Sequence, residues 1–127
     1  MAALTGLTAV AAGAFGAHAV RDLDWVTPAR MAVWETGAQY HLVHAVVLLV
    51  CTVLPLYQPR LQRLAAAAIF SGVVIFSGTL YLLVLTDTPW LGAVTPIGGV
   101  LLLIGWALLA AAGGGGAARG RGRFAQG

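Results

Sequence analysis

The stretch Leu64–Leu85, LAAAAIFSGVVIFSGTLYLLVL, contains 22 consecutive residues without a single charged side chain. A helix of about 20 apolar residues is long enough to cross the hydrocarbon core of a bilayer. The whole chain has 127 residues, of which 60% are hydrophobic and only 9% are charged, and its mean hydropathy is +0.90. Soluble domains carry about 25% charged residues, so this composition argues against a soluble globular protein and excludes a disordered chain. The stretch therefore predicts a transmembrane helix.

Apolar runs on both sides of this stretch predict three more crossings. We therefore expect residues 1–112 to form one all-α integral membrane bundle of four transmembrane helices. Residues 113–127 are rich in glycine and arginine, which predicts a disordered tail. The approximate spans of the four helices are 2–20, 36–56, 64–85 and 91–112.

Prolines and the residues before them mark helix ends in this chain. Thr27 followed by Pro28 predicts an N-cap and a first helical residue, so the second helix begins at the interface before it crosses. Thr95 followed by Pro96 leaves two alternatives, a proline kink or a shorter helix that Thr95 caps. We favour the capped helix, which leaves residues 90–95 as irregular chain.

The arginines predict the orientation of the bundle. With four crossings, the N-terminus, the connector at 58–63 and the tail share one side, which carries five of the seven arginines and no acid. Because basic residues are retained in the cytoplasm, we expect both termini inside. The chain lacks lysine and asparagine and is rich in alanine and glycine, which we interpret as the composition of a GC-rich bacterial genome, so the expected location is the plasma membrane of a bacterium. The scattered arginines form no basic face studded with aromatic residues, which argues against a nucleic-acid partner. Membrane lipid is the expected partner, with a second copy of the chain or another membrane protein as further candidates.

Glycines recur at helical spacing along the predicted crossings. Small residues on one face let helix backbones approach closely, which is how helices associate in lipid. We therefore expect contacts between helices at these glycines. They are Gly6, Gly13, Gly16, Gly78, Gly98 and Gly105.

Polar side chains gather in the predicted outer half of the bundle. His41 and His44 lie one turn apart on the second helix, on the same helix face as Tyr40. His18 ends the first helix, and Tyr81 lies near the end of the third. Because polar groups in hydrocarbon are costly, these five residues are the candidate polar site.

Three roles are open for these side chains. The imidazoles of His18, His41 and His44 could bind zinc, copper or haem iron, could relay protons, or could hydrogen-bond between helices. We favour hydrogen bonding. No carboxylate or thiolate ligand accompanies the histidines, which argues against a metal site. Polar residues at one end of the bundle do not form a path through the membrane, which argues against proton passage. We therefore expect no cofactor and a non-enzymatic packing, assembly or accessory role. Metal or haem binding and proton or solute passage are the alternatives.

His18 faces a geometric obstacle to joining the other histidines. On an ideal helix it lies opposite the glycine stripe that runs from Gly6 to Gly16. It can meet His41 and His44 only if the first helix has a different neighbour on each side or ends before residue 18.

Five blocks of sequence resemble a known family. The blocks, in chain order, are GAFGAH at 13–18, AQYHLVHA at 38–45, FSGTLY at 76–81, LGAVTPIGG at 91–99 and GW at 105–106. They are similar to the domain of unknown function 423 family, small multi-pass inner-membrane proteins without an assigned activity. The resemblance implies the same multi-pass architecture. It also implies that the first helix stays in the mature protein and is not removed as a signal peptide. It implies no catalytic residue, and it places His18, His41 and His44 inside the matching blocks.

Overall fold

The computed structural model describes residues 1–123, and it describes the side chains of residues 1–114. Within residues 1–123 the secondary structure is helical, without a strand. Four helices are long and apolar enough to cross a membrane, which confirms the predicted all-α fold. These helices are α1 (Ala2–His18), α2 (Pro28–Val53), α3 (Pro59–Thr86) and α4 (Thr95–Arg123), and two short 3-10 turns lie at Val20–Asp22 and Pro89–Ala93.

The second helix has the boundaries that its sequence predicts. It begins at Pro28, and the hydroxyl oxygen of Thr27 accepts the backbone N–H of Arg30 at 3.3 Å. It ends at Val53, two residues before Pro55, whose ring cannot continue a helix. The predicted helix start at Pro28 and the predicted stop before Pro55 are both present, and the interfacial position of the start stays a prediction.

The link before α4 differs from the expected irregular chain. Residues Pro89–Ala93 form a 3-10 turn, and α4 begins at Thr95. The predicted N-cap role of Thr95 is wrong, because Thr95 is the first helical residue and its hydroxyl donates to the carbonyl of Leu91 at 3.3 Å. The backbone N–H groups of Leu91, Val94 and Ile97 each donate to the carbonyl three residues earlier, at 3.0–3.2 Å. A 3-10 turn pairs these amides internally, so they need no partner from water or from a neighbouring helix.

The C-terminal helix extends past its predicted end. The sequence predicts that the crossing ends at residue 112 and that residues 113–127 are a disordered tail, whereas α4 runs to Arg123. The glycines at 113–116 keep their backbone N–H groups, so they can continue the helical hydrogen-bond ladder despite their low helix propensity. Residues 124–127 lie outside the described residues, and their part of that expectation stays a prediction.

Helix α3 lies at the centre of the bundle, between α2 and α4, while α1 packs against α2. We call the end that holds residues 54–58 the connector end, and the end that holds residues 19–27 and 87–94 the loop end. One cluster of buried side chains lies toward the connector end and another toward the loop end. The first contains Leu48, Ile69, Val73 and Leu102, and the second contains Val20, Trp34 and Val84.

Glycines set the closest approaches between helices. A Cβ on Gly98 would collide with the backbone of Phe76, and a Cβ on Gly105 would collide with Ile69, so α3 and α4 touch at both levels. A Cβ on Gly16 would collide with the indole of Trp34. At each of these three glycines, the neighbouring helix occupies the space that a methyl group would need.

The other three glycines do not form contacts between these helices. A Cβ on Gly6, Gly13 or Gly78 would meet nothing within 4 Å. The buried residues of α1 are instead Thr5, Ala9 and Gly16, so its contact face is rotated away from the expected glycine stripe. Alanine and threonine are small enough to let α2 approach, which is why glycine spacing alone does not identify this face.

Replacement of Gly98 by alanine is predicted to destabilise the bundle. The added methyl group must push α3 away from α4, and overpacking of this kind costs about 1–3 kcal/mol. Gly78→Ala is the matched control, because the same methyl group on α3 meets open space. Thermal unfolding in mild detergent, followed by circular dichroism, should show a lower Tm for Gly98→Ala and an unchanged or higher Tm for Gly78→Ala. Equal Tm values would contradict the close α3–α4 contact.

Candidate functional site

The five residues of the predicted polar site do not form one cluster. His41 faces α1 and α3, whereas His44 faces α4, although the two lie one turn apart on α2. Tyr81 lies beside His41, and the ring of Tyr40 packs against His44. His18 is exposed at the end of α1 and joins neither group. The side chains therefore form two separate hydrogen-bonded links between helices.

His44 joins α2 to α4 and is 5% exposed. Its Nε2 lies 3.2 Å from the indole Nε1 of Trp106, and its Nδ1 lies 2.7 Å from the carbonyl oxygen of Tyr40. Because an indole N–H can only donate, Nε2 accepts and the ring hydrogen is assigned to Nδ1, which donates to Tyr40. Both ring nitrogens are therefore engaged in hydrogen bonds, and the one available lone pair, on Nε2, accepts the indole N–H.

His41 joins α1 to α3 through α2. The hydroxyl of Thr8 donates to the backbone carbonyls of Leu4 and Thr5, both at 3.0 Å, so its oxygen accepts from Nε2–H of His41 at 3.3 Å. The hydroxyl of Tyr81 then donates to Nδ1 of His41, also at 3.3 Å. This network assigns the ring hydrogen of His41 to Nε2, the opposite tautomer to that of His44.

A cavity of about 400 Å³ adjoins the His41 link, between α1, α2 and α3. Thr8, His41 and Tyr81 line it together with Ser77. Ser77 is 1% exposed, and its hydroxyl oxygen has no hydrogen-bond partner. The cavity thus combines an apolar wall with a few polar groups, the usual composition of a small-molecule site.

Trp34 is a central residue that the candidate polar site did not include. It is 3% exposed, and its indole N–H donates to the carbonyl of Ala12 at 3.0 Å. Its ring lies against Gly16 and has its centroid 4.6 Å from that of Tyr81. A tryptophan near a helix start is typical of the membrane interface, so its position in the sequence does not indicate burial. The one feature that does is Gly16 on α1, which leaves space for the indole.

Gln62 is a second residue outside the predicted site. Its Nε2 donates to the carbonyls of Cys51 at 2.8 Å and Leu54 at 2.7 Å, and its Oε1 accepts the backbone N–H of Leu56 at 2.9 Å. Since Pro55 stops α2, the last carbonyls of the helix need partners from elsewhere. One buried amide side chain supplies them, and the sequence gives no clear signal for it, because Gln62 stands in a polar connector beside Gln58, Arg60 and Arg63.

The loop end is held by one ion pair and one indole. Arg30 at the start of α2 pairs with Asp87, which follows the end of α3. Trp25 donates from its indole N–H to the carbonyl of Val84 at 3.1 Å. These contacts tie residues 19–27 and the start of α2 to α3.

The part of the chain with described side chains offers no clustered set of metal ligands. No group of three or more histidine, cysteine, aspartate or glutamate side chains is close enough to hold a metal ion there. His41 and His44 direct their ring nitrogens to different neighbours, and Cys51 is a free thiol near the end of α2. The geometry therefore favours structural hydrogen bonds over a shared metal site.

Comparison with known proteins decides the family. A family model described as a protein of unknown function (DUF423) matches residues 12–99, the segment that contains His41 and His44. The chain belongs to the DUF423 family. This result confirms the resemblance that the five sequence blocks carry. No solved structure shows significant similarity to this DUF423 chain.

Curated relatives of this DUF423 protein are named as membrane proteins. A UPF0382 membrane protein of Staphylococcus aureus (strain bovine RF122) is 40% identical over 109 residues, which is 86% of this chain and 88% of the relative. The UPF0382 membrane protein YwdK of Bacillus subtilis is 40% identical over 112 residues, 86% and 89% of the two chains. A UPF0382 membrane protein of Haemophilus influenzae is 36% identical and covers 87% of each. This protein is therefore similar to bacterial membrane proteins along most of its length.

A double-mutant cycle on His44 and Trp106 tests the α2–α4 link. His44→Ala removes the acceptor, Trp106→Phe removes the donor, and the double variant removes both. Hydrogen bonds between transmembrane helices couple by about 0.6 kcal/mol on average and up to about 1.7 kcal/mol. We expect a coupling energy in this range from reversible unfolding in detergent. Additive effects, within about 0.3–0.5 kcal/mol, would show that the two side chains do not interact.

Proposed function

We propose that this DUF423 protein is a non-enzymatic component of the bacterial plasma membrane with an assembly or accessory role. The observation that carries the proposal is the engagement of both ring nitrogens of His41 and of His44 in hydrogen bonds. The imidazoles that could bind a metal or transfer a proton are used to hold helices together. Their role in the proposal is structural.

The outer surface supports a role among other membrane components. Large apolar side chains are exposed on the helices, with Leu7 67% and Leu103 71% exposed, as contact with lipid requires. The space beside Gly6 and Gly13 is open to at least 4 Å from where a Cβ would stand, so α1 leaves room for close approach by another helix. A second copy of the chain or a different membrane protein is the proposed partner.

The charges of the two ends support the proposed orientation. Arg60 and Arg63 lie at the connector end without an acidic residue in the first turn of α3. At the loop end, Asp87 pairs with Arg30. The unbalanced positive charge is therefore at the connector end, which the proposal places in the cytoplasm together with both termini. A reporter fused after Gly127 that is active only outside the cytoplasm would contradict this orientation.

Solute or proton passage is the second candidate, and the cavity beside His41 is the observation that favours it. Ser77 and His41 give that cavity polar groups at membrane depth. However, the buried cluster toward the connector end consists of Leu48, Ile69, Val73 and Leu102, which are all apolar. Within the described side chains, no polar path continues from His41 through this cluster, so the geometry supports passage less well than a packing role.

Metal and haem measurements test the structural role of the histidines. We expect the purified protein to be colourless and to contain less than stoichiometric zinc, copper and iron. We also expect that added Zn²⁺, Cu²⁺ or haemin leaves the Tm in detergent unchanged, because a ligand that binds the folded state would raise it. Elemental analysis, a visible spectrum and thermal shift assays provide these readings. One metal or haem per chain that is lost in both His41→Ala and His44→Ala would overturn the proposal.

A further inference from the structure

A groove of about 740 Å³ lies between α2 and α3 at the connector end, and neither His41 nor His44 lines it. Its volume is within the range of about 300–1,000 Å³ that is typical of ligand sites. Leu48, Ala66, Ala67 and Phe70 are among the residues that form its wall, and Met1 and Ala2, at the start of α1, also line it. Such a wall suits a hydrocarbon chain, and Arg63 adds a charged group to the same groove.

The start of α3, to which Arg63 of the groove belongs, carries positive charge that no neighbouring acid balances. Arg60 and Arg63 lie in the first turns of α3, where no acidic residue is present. The N-terminus of a helix carries a partial positive charge, which adds to the charge of these arginines instead of offsetting it. Among the side chains that the structure describes, the one ion pair joins Arg30 and Asp87 at the opposite end. An anionic group at Arg63 would therefore reduce the repulsion among Arg60, Arg63 and the positive end of α3.

We propose that this groove, the connector groove, binds one anionic phospholipid. The phosphate pairs with the guanidinium of Arg63, which can donate two parallel hydrogen bonds to phosphate oxygens. One acyl chain lies along the wall that Ala66, Ala67 and Phe70 form. A free phosphate would satisfy the arginine but would leave the apolar wall empty, so the combination of charge and wall selects a lipid.

Lipid titration in detergent tests the charge component. Native mass spectrometry would compare phosphatidylglycerol and phosphatidylcholine of identical acyl chains on the intact protein. We expect tighter binding of phosphatidylglycerol and a loss of about fivefold in its affinity for Arg63→Gln, the ratio that corresponds to ~1 kcal/mol per arginine. Arg60→Gln is the matched control, because it removes the same charge from the same end of α3 without lining the groove.

A second pair of variants tests the groove itself. Ala67→Trp fills the groove with an indole and should weaken binding of both lipids, whereas Ala107→Trp on the exposed face of α4 should not. Three results would each overturn the proposal: equal affinity of the wild-type protein for the two lipids, equal losses in Arg63→Gln and Arg60→Gln, or unchanged lipid binding in a folded Ala67→Trp. Circular dichroism confirms that each variant is folded.

Discussion

The pairing of backbone amides in hydrocarbon is the constraint on which this structure depends. An unpaired amide in lipid costs several kcal/mol, so the chain crosses as helices that pair their amides internally. The same constraint shapes the breaks between helices. The 3-10 turn at Pro89–Ala93 pairs the amides before α4, and the side chain of Gln62 pairs with the backbone groups that Pro55 leaves open at the end of α2. Each of these interruptions is short, and the backbone groups named here find hydrogen-bond partners within the protein.

Helix association in lipid needs a different source of specificity, because burial of apolar side chains gains little there. In this bundle, Gly98 and Gly105 bring α3 and α4 into backbone contact. A few hydrogen bonds then fix the positions of the helices around α2. His41 and His44 do so with opposite tautomers, since one accepts from a tyrosine hydroxyl and the other from an indole. The polar residues of this protein therefore act as links within the membrane, which is the basis of the proposed non-enzymatic role.

Local features of the fold could be predicted from the sequence, whereas the choice of neighbours could not. Length and hydropathy give the number of crossings, and Thr27 with Pro28 gives the start of α2, because these depend on a few adjacent residues. The division between His41 and His44 depends on which helix lies on each side of α2, and helical periodicity does not contain that information. The same limit explains α1, where Thr5 and Ala9 lie on the contact face although Gly6 and Gly13 are smaller.

Disulfide mapping in native membranes tests most directly the claim that α3 and α4 pack against each other. The hydroxyl oxygens of Thr79 and Thr95 lie 2.9 Å apart, so cysteines at these positions are close enough to be joined. In a Cys51→Ala background, the pair Thr79→Cys and Thr95→Cys should form an intramolecular disulfide on mild oxidation. The pair Gly78→Cys and Thr95→Cys should not, because residue 78 faces open space. Absence of the first disulfide, or equal yields from both pairs, would contradict the helix arrangement.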